Sequence, residues 1–438
     1  MKKSRLLVLT LVFVFVLSVS AGALLLDYEE EFGEINFEGE SITYVCWYNP
    51  LGEFEEGGEY AGRLEEAKDK FNIGDIELIQ VGWGEDLSEI PMSRLLGGES
   101  NYDIWILPHQ NVWPLITQGA FYPLNEILPE DYYGNMARDL RVIAETLSHR
   151  GEYYATGVGA DHYSNIHLLF WNKDIIDREG LTPLNELYNQ DNLTWEVIEE
   201  YAETVTRDTS GDGEIDQWAF GSFDPVLWAS SNNALVSRRD EDGQMKFTFD
   251  NEEGLYAIEK LLEWENAGYF GAGWERIEVF EGLVAMDAVP LWFFERFYDE
   301  LEDDWGVVPL PRGPHTDDYV YFSYNVDNVY IPANATDPEK LVAVHNFLFR
   351  QEEQLADRED FRIEMSPDQT TYEVLIDVEE SWSGESYLLE GILGPHWDGG
   401  RPFGAVMSPI LYEGADPATE FAAGRDAIQA TIDDLFDQ

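Results

Sequence analysis

Cysteine and basic residues are both scarce in this sequence of 438 residues. Cys46 is the single cysteine, so no internal disulfide can form, and we interpret it as a small buried hydrophobe. Only 26 Lys and Arg stand against 87 Asp and Glu, which gives a formal net charge of −61. A surface of that sign repels phosphate backbones and anionic lipid headgroups, so nucleic acid is not expected as a partner.

The motifs of several large enzyme classes are also missing. The sequence has no phosphate-binding Walker loop, no dinucleotide glycine fingerprint, no H-E-x-x-H and no G-x-S-x-G. We therefore predict a protein that is not an enzyme. The absence of these motifs does not bear on the paired carboxylates of a glycosidase, because 87 acidic residues will place some pairs about 5 to 9 Å apart in any fold.

The composition nevertheless supports a folded chain with sizeable cores. Hydrophobic residues make up 44% of the sequence and aromatic residues 14%, and this length predicts two lobes rather than one core. Self-repulsion at a charge of −61 weakens a compact state unless salt screens it. We therefore expect a halophilic source.

The N-terminus reads as a secretory signal. Residues 1–5 carry positive charge, an apolar run follows over 6–19, and Ala21-Gly22-Ala23 resembles a cleavage site. We expect a signal peptide over residues 1–23 and an acidic leader over 24–37. An uncleaved membrane anchor is the alternative, because apolar residues continue to Leu26.

Strand and helix patterns alternate after the leader. Strands are predicted over 41–47, 76–81 and 102–107, with helices over 60–71 and 87–96 between them, which favours a parallel sheet. Further along, residues 285–290 read as a buried strand that ends at Pro290. Proline is favoured at the start of a helix, so a helix is expected after Pro290. Trp292 would then lie at the end of the strand, where α/β folds bind ligands.

Six segments, taken in chain order, resemble motifs of the extracellular solute-binding proteins of sugar ABC transporters, the maltose-binding-protein-like group. The segments are Asp103 to Ile106, Gln118 to Asn125, Leu168 to Asp174, Leu193 to Glu196, Phe280 to Met286 and Trp305 to Arg312.

The resemblance implies a type II-like periplasmic-binding-protein fold, in which two α/β lobes joined by crossing hinge strands close on a sugar. Mapped onto this chain, it predicts an N-terminal lobe of residues 38–162 and 285–331. The C-terminal lobe would contain residues 166–284 and 332–438. The crossings would fall near 164–165, near 283–284 and within 322–328.

A sugar cleft combines flat aromatic rings with planar hydrogen-bonding groups. Trp292 is the leading candidate, because it aligns with the family's sugar-stacking aromatic, and Arg401 occupies the place of a frequent Arg-Pro pair. Core packing is the alternative for each tryptophan, and a local ion pair is the alternative for Arg401. The other predicted binding residues, at predicted strand ends, loops or crossings, are Trp47, Asn49, Trp83, His109, Gln110, Tyr163, Trp228, Asn325, Asp327 and Trp397.

One acidic loop resembles a calcium-binding loop. Oxygen-bearing side chains alternate around two glycines, but Ala219 replaces the acid expected at the twelfth position. We interpret the loop either as a calcium-binding site or as a tight acidic hairpin without metal. The predicted ligands are Asp208, Ser210, Asp212, Glu214 and Asp216.

Together these features predict a secreted, monomeric subunit of an ABC importer. It would bind a mono- or oligosaccharide between its lobes and deliver it to a membrane permease. A secreted acidic glycoside hydrolase is the alternative.

Overall fold

A computed structural model of the chain describes residues 34–83, 86–97, 102–157, 165–271, 273, 276–384, 386 and 388–436. The predicted signal peptide, most of the predicted leader, and Tyr163 lie outside these residues. Within the described ranges, no helix combines the length and the apolar character that a membrane span requires.

The strands are short and are distributed over the whole described chain. They are β1 (Ile42–Cys46), β2 (Ile76–Gln80), β3 (Ile104–Pro108), β4 (Thr156–Gly157), β5 (Ile166–Asn172), β6 (Trp218–Phe220), β7 (Ser237–Arg239), β8 (Met245–Phe247), β9 (Val284–Pro290), β10 (Trp305–Val308), β11 (Phe322–Ser323) and β12 (Asp327–Tyr330).

Helices connect the strands and make up most of the C-terminal part. They are α1 (Arg63–Phe71), α2 (Asp86–Gly97), α3 (Trp113–Thr117), α4 (Arg138–Thr146), α5 (Lys173–Arg178), α6 (Leu184–Asn189), α7 (Trp195–Val205), α8 (Pro225–Ser230), α9 (Glu252–Asn266), α10 (Ile277–Phe280), α11 (Phe294–Glu300), α12 (Pro338–Leu348), α13 (Gln351–Met365), α14 (Gln369–Ser381), α15 (Glu390–Leu393), α16 (Pro402–Glu413) and α17 (Pro417–Phe436).

The first sheet has the strand order β2-β1-β3-β12-β4. β1 pairs in parallel with β2 and β3, as the alternation of strands and helices predicts, because a helix carries the chain back between parallel strands. Both faces of this sheet are buried. Tyr44 and Ile104 pack in one core, whereas Val45 and Trp105 pack in the other.

The second sheet has the order β10-β5-β9-β6, with β11 paired to β5. β5 and β9 lie in its centre, pair antiparallel, and are buried at all seven positions of each strand. The prediction of a buried strand ending at Pro290 is confirmed. A short turn over Leu291–Phe293 then leads into α11, so Trp292 lies just before the helix rather than inside it.

The predicted division into lobes is wrong in two places. β9 and β10, which we assigned to the first lobe, pair with β5 in the second sheet. Conversely, Leu341 and Leu348 of α12 pack in the core of the first lobe. A buried strand has the same sequence pattern in either sheet. Because its partner strand lies far away in sequence, the pattern alone could not assign it to one of the two sheets.

The crossings follow from these pairings. β11 still pairs with β5, whereas β12 pairs with β3, so the chain changes lobe at residues 324–326, inside the predicted range 322–328. No crossing falls at 283–284. We call residues 34–157 and 327–349 the first lobe, and residues 165–323 and 351–436 the second lobe.

Candidate functional site

A cavity of about 1330 Å³ opens where the two sheets face each other. Trp47 follows β1, Trp83 follows β2 and Gln110 follows β3, so the first lobe contributes the carboxyl ends of its parallel strands. From the second lobe come Asp224, after β6, and Trp292, after β9. Strand ends that meet at one edge are the usual place for a ligand site in α/β folds.

Three tryptophans in the cavity wall are exposed to an unusual degree. Trp83 and Trp397 are each 54% exposed, and Trp292 is 47% exposed. A large aromatic side chain normally buries most of its surface. Trp83 belongs to the first lobe and the other two to the second, so flat apolar rings are present on both sides of the cavity.

Trp47 is held in a fixed orientation on the first lobe. Its indole N–H donates to the carboxylate of Asp327, at 3.1 Å and 3.3 Å from the two oxygens. The Trp83 ring packs edge-on against it, with 4.7 Å between ring centroids and 75° between the planes. The hydrogen bond therefore holds the Trp47 ring in place, and the exposed Trp83 ring packs against it.

The Trp292 ring rests on an aromatic base. Its centroid lies 4.2 Å from that of Phe293, and the guanidinium of Arg276 lies 4.9 Å from the centroid of the Phe293 ring. Arg276 is in turn held by a buried carboxylate, since its Nε lies 2.7 Å from Oδ2 of Asp287. The ring is thus presented to the cavity from a packed support.

A polar cluster forms the second-lobe side of the cavity. Asp224 caps α8, accepting from the backbone N–H of Leu227 at 3.1 Å, and it also accepts from the Tyr324 hydroxyl at 2.5 Å. Glu390 begins α15 in the same wall. Burial, followed by the nearby charge of Asp224, raises the pKa of Glu390 to about 8.

Two further polar residues of the cavity wall are largely buried. Gln110 is 7% exposed and His167 8% exposed. Within the described part of the chain, Oε1 of Gln110 and Nδ1 of His167 have no hydrogen-bond partner. Burial lowers the pKa of His167 to about 4, so its ring is neutral at neutral pH.

Arg401 lines the cavity. It also forms a local ion pair, which was the alternative interpretation of this residue. Its Nε lies 3.6 Å from Oδ2 of Asp398, and a terminal nitrogen donates to the carbonyl oxygen of Gly391. The arginine therefore joins α15 to the loop before α16.

The structure brings most of the predicted binding residues together. The predicted residues that line the cavity are Trp47, Trp83, Gln110, Trp292, Asn325, Asp327, Trp397 and Arg401. Their roles in binding stay predictions.

Three predicted binding residues lie elsewhere. Trp228 is fully buried and packs against Phe220, because α8 is buried on all sides. His109 is also fully buried, and its Nδ1 accepts from the backbone N–H of Val326 at 2.8 Å. Asn49 closes a turn by accepting from the backbone N–H of Leu51 at 3.1 Å. The structure contradicts the placement of these three in the cleft.

Several lining residues were not predicted. Asp224 carried a signal in the sequence, since Asp before Pro at the start of an apolar segment is typical of a helix N-terminus at a strand end. The others come from positions with no local pattern, and only the fold brings them together. They include Tyr48, His167, Arg276, Arg296, Tyr324 and Glu390.

The acidic loop predicted to bind calcium forms a hydrogen-bonded hairpin. Asp208 accepts from the backbone N–H groups of Gly211 and Gly213, each at 2.6 Å, and Asp216 accepts from that of Thr209 at 2.6 Å. Among the described residues, no group of three or more His, Cys, Asp or Glu side chains is arranged to hold a metal ion. Calcium binding here stays a prediction.

Comparison with known proteins identifies the family. A family model described as bacterial extracellular solute-binding protein matches residues 65–357, and the chain belongs to this family. No curated protein sequence matches it.

Solved structures show the same two-lobe fold. An ABC substrate-binding protein from Listeria monocytogenes in complex with cycloalternan is similar, with a TM-score of 0.64, 14% identity, and coverage of 90% of this chain and 99% of that one. A maltose/maltodextrin-binding domain from Bdellovibrio bacteriovorus bound to maltotriose gives a TM-score of 0.61, 17% identity, and coverage of 91% and 100%. A Mycobacterium tuberculosis protein in complex with glycerophosphocholine gives a TM-score of 0.60, 15% identity, and coverage of 90% and 98%. At these identities the likeness establishes the fold alone.

Proposed function

We propose that this solute-binding protein is the secreted carbohydrate-binding subunit of an ABC importer and that it holds its sugar in the interlobe cavity. The observation that carries the proposal is the set of exposed tryptophans, Trp83, Trp292 and Trp397, on both sides of one cavity. Sugars present apolar C–H faces that stack on such rings, and hydroxyls that require planar polar partners. Carboxylate, amide and guanidinium groups stand beside the rings.

The size of the cavity favours an oligosaccharide over a single sugar. Its volume of about 1330 Å³ exceeds the range of about 300 to 1,000 Å³ that holds most drug-sized ligands. The similar proteins from Listeria and Bdellovibrio are described with cycloalternan and maltotriose, which supports a ligand of several sugar units.

A titration of tryptophan fluorescence tests the proposal. The purified protein, in molar NaCl, is titrated with glucose, maltotriose, mannotriose, cellotriose and xylotriose. We expect a saturable change with one ligand per chain for at least one trisaccharide. If no sugar changes the fluorescence and isothermal calorimetry detects no heat, the proposal fails.

The same samples separate binding from hydrolysis. After prolonged incubation with excess trisaccharide, chromatography of the sugars is expected to show the starting material unchanged. Shorter products that accumulate with time would instead support a glycoside hydrolase built on the carboxylates of the cavity, such as Asp224 and Glu390.

Delivery to a permease requires the mature protein outside the cytoplasm. We propose cleavage after Ala23 and association with a membrane permease as a monomer. N-terminal sequencing of the secreted protein tests the first point, with Leu24 expected as the first residue. A retained apolar segment would instead indicate a membrane anchor.

A further inference from the structure

The arginines that line the cavity already have carboxylate partners. Arg276 pairs with the buried Asp287 at 2.7 Å. Arg401 lies 3.6 Å from Asp398, and Arg296 lies 3.0 Å from Glu300, each measured from Nε to the nearer carboxylate oxygen. These three cations are therefore not available to balance further negative charge in the wall.

Asp224 and Glu390 are two carboxyl groups in the cavity wall that lack such a partner. In the described part of the chain, neither forms an ion pair with Lys or Arg. Asp224 accepts from two neutral donors, the Leu227 amide and the Tyr324 hydroxyl. Both residues line the same cavity, and the charge of Asp224, after burial, contributes to the raised pKa of Glu390. Two carboxylates in a poorly hydrated wall are unfavourable until a cation joins them.

Two further residues of the cavity wall, one from each lobe, carry polar atoms without a partner in the described part of the chain. Gln110 of the first lobe reaches α15 directly, since a Cβ added at Gly391 would lie 2.4 Å from the Gln110 carbonyl oxygen. Its side-chain Oε1 has no partner among the described residues, and neither does Nδ1 of the neutral His167. The His167 ring lies 5.6 Å from the Tyr324 ring, which itself bonds Asp224. The cavity wall thus combines the carboxylate of Asp224 with Gln110 and His167, and Glu390 adds a second carboxylate once it is ionised.

We propose that the sugar carries a protonated amine, so that this protein binds an amino sugar with its ammonium group between Asp224 and Glu390. Gln110 and His167, each with a buried polar atom that has no partner among the described residues, line the same cavity. An ammonium has three donors and no acceptor, whereas a hydroxyl needs both kinds of partner, so an acceptor-rich, acidic wall discriminates between them. The inference rests on the proposed carbohydrate function and specifies its ligand.

Three trisaccharides that differ at one substituent test the inference. The β-1,4-linked trimers of glucosamine, N-acetylglucosamine and glucose carry an ammonium, an acetamide and a hydroxyl at carbon 2. Their dissociation constants are measured by calorimetry at pH 6.5 in 2 M NaCl. At that salt concentration the screening length is below about 3 Å, so a general attraction of cations to an acidic protein is suppressed and contact recognition remains.

We expect the glucosamine trimer to bind at least tenfold more tightly than either neutral trimer. Equal or weaker binding of the glucosamine trimer, including no binding, overturns the inference. If cellotriose or another neutral sugar then still binds, the proposed carbohydrate function stands. If no sugar of either panel binds, both proposals fail.

Two amide variants assign the preference to the carboxyl pair; Glu390 holds a proton at pH 6.5 in the ligand-free protein and would release it to solvent when the ammonium binds. Asp224→Asn keeps an N-cap acceptor for α8, and Glu390→Gln keeps the shape of the side chain. Each is expected to reduce the ratio of the neutral to the amino-sugar dissociation constant by at least fivefold. The control is Glu413→Gln, which removes the same charge from an exposed position outside the cavity and is expected to leave the ratio unchanged. Circular dichroism checks that the variants fold, and an unchanged ratio in both folded cavity variants overturns the assignment.

Discussion

At the scale of single residues, Trp292 shows how an aromatic residue of the binding site can be distinguished from one of the hydrophobic core. It is 47% exposed, lines the cavity, and rests on Phe293. We expect Trp292→Ala to weaken the best trisaccharide by more than about 1 kcal/mol, which is the scale of a lost aromatic contact. Calorimetric titration of the variant and the parent protein measures the difference.

The matched control for this variant is Tyr412→Ala. Tyr412 is 68% exposed on α16 and does not line the cavity, so its removal should leave the affinity unchanged. If Trp292→Ala folds normally and binds as tightly as the parent protein, Trp292 is not part of the site.

Glu390 makes the stability of the ligand-free protein depend on pH. Burial and Asp224 raise its pKa to about 8, above the value of about 4.3 expected in the unfolded chain. Between these two values the folded state keeps a proton that the unfolded state has lost, so stability falls as the pH rises from about 4.5 to about 8. His167, with a pKa lowered to about 4 from about 6.5 in the unfolded chain, acts in the opposite direction between those two values. The contribution of Glu390 is therefore measured as the difference between a Glu390 variant and the parent protein.

We therefore expect Glu390→Gln to stabilise the protein at pH 9 but not at pH 5. Because Glu390 is only partly buried, we expect a gain on the order of 2 to 4 kcal/mol at pH 9. Denaturant unfolding of both proteins at the two pH values measures it. A gain of the same size at pH 5 and pH 9 would contradict this account.

The sequence identified part of the site at this scale and missed the rest for a definable reason. Trp47, Trp83 and Trp292 directly follow strands, and position alone was sufficient to predict them. Trp228 has a similar local context, but every residue of α8, including Trp228, is buried. The sequence of α8 has no polar face, so it does not indicate which side of the helix is buried. Glu390 became interpretable only when the fold placed it beside Asp224.

At the scale of elements, α13 joins parts of the molecule that are distant in sequence. Arg358 of α13 lies 2.7 Å from Asp139 of α4 and 3.6 Å from Glu379 of α14. The Arg358 and Asp139 side chains are 3% and 2% exposed. Removing one partner of a buried pair typically costs about 3 to 5 kcal/mol, and Glu379, at 3.6 Å, would compensate Arg358 only in part.

Asp139→Ala is accordingly expected to lower the free energy of unfolding by about 3 kcal/mol or more. The comparison is Glu300→Ala, which removes the partner of Arg296 in a solvent-exposed pair on α11 and should cost less than about 1 kcal/mol. Urea unfolding in molar salt measures both. Similar small losses in the two variants would show that the α4–α13 contact does not depend on its ion pair.

The order of elements was more predictable than their assembly. The alternation of strands and helices up to β3 and the buried strand at β9 were confirmed, because each leaves a local pattern in the sequence. The sheet to which β9 belongs was predicted wrongly, because its partner strand β5 lies more than a hundred residues earlier in the sequence. Local periodicity determines which face of a strand is buried, whereas long-range pairing is decided by the packing of the whole chain.

At the scale of the whole molecule, the net charge of −61 predicts a protein that depends on salt for its stability. At 0.1 M salt the screening length is about 10 Å and neighbouring surface carboxylates repel one another, whereas at 1 M it is about 3 Å. We expect the midpoint of thermal unfolding at pH 7.5 to rise by at least about 5 °C between 0.1 M and 2 M NaCl, which corresponds to roughly 2 kcal/mol for lobes of this size.

The same salt series near pH 4 provides the control, because the pH is then close to the pKa values of Asp and Glu and about half of the carboxylates are neutralised, which greatly reduces the net negative charge. If screening is the cause, the rise shrinks along with the charge. A rise of equal size at both pH values would point instead to a general effect of salt on apolar burial, and the acidic surface would then not be the reason that the fold needs salt.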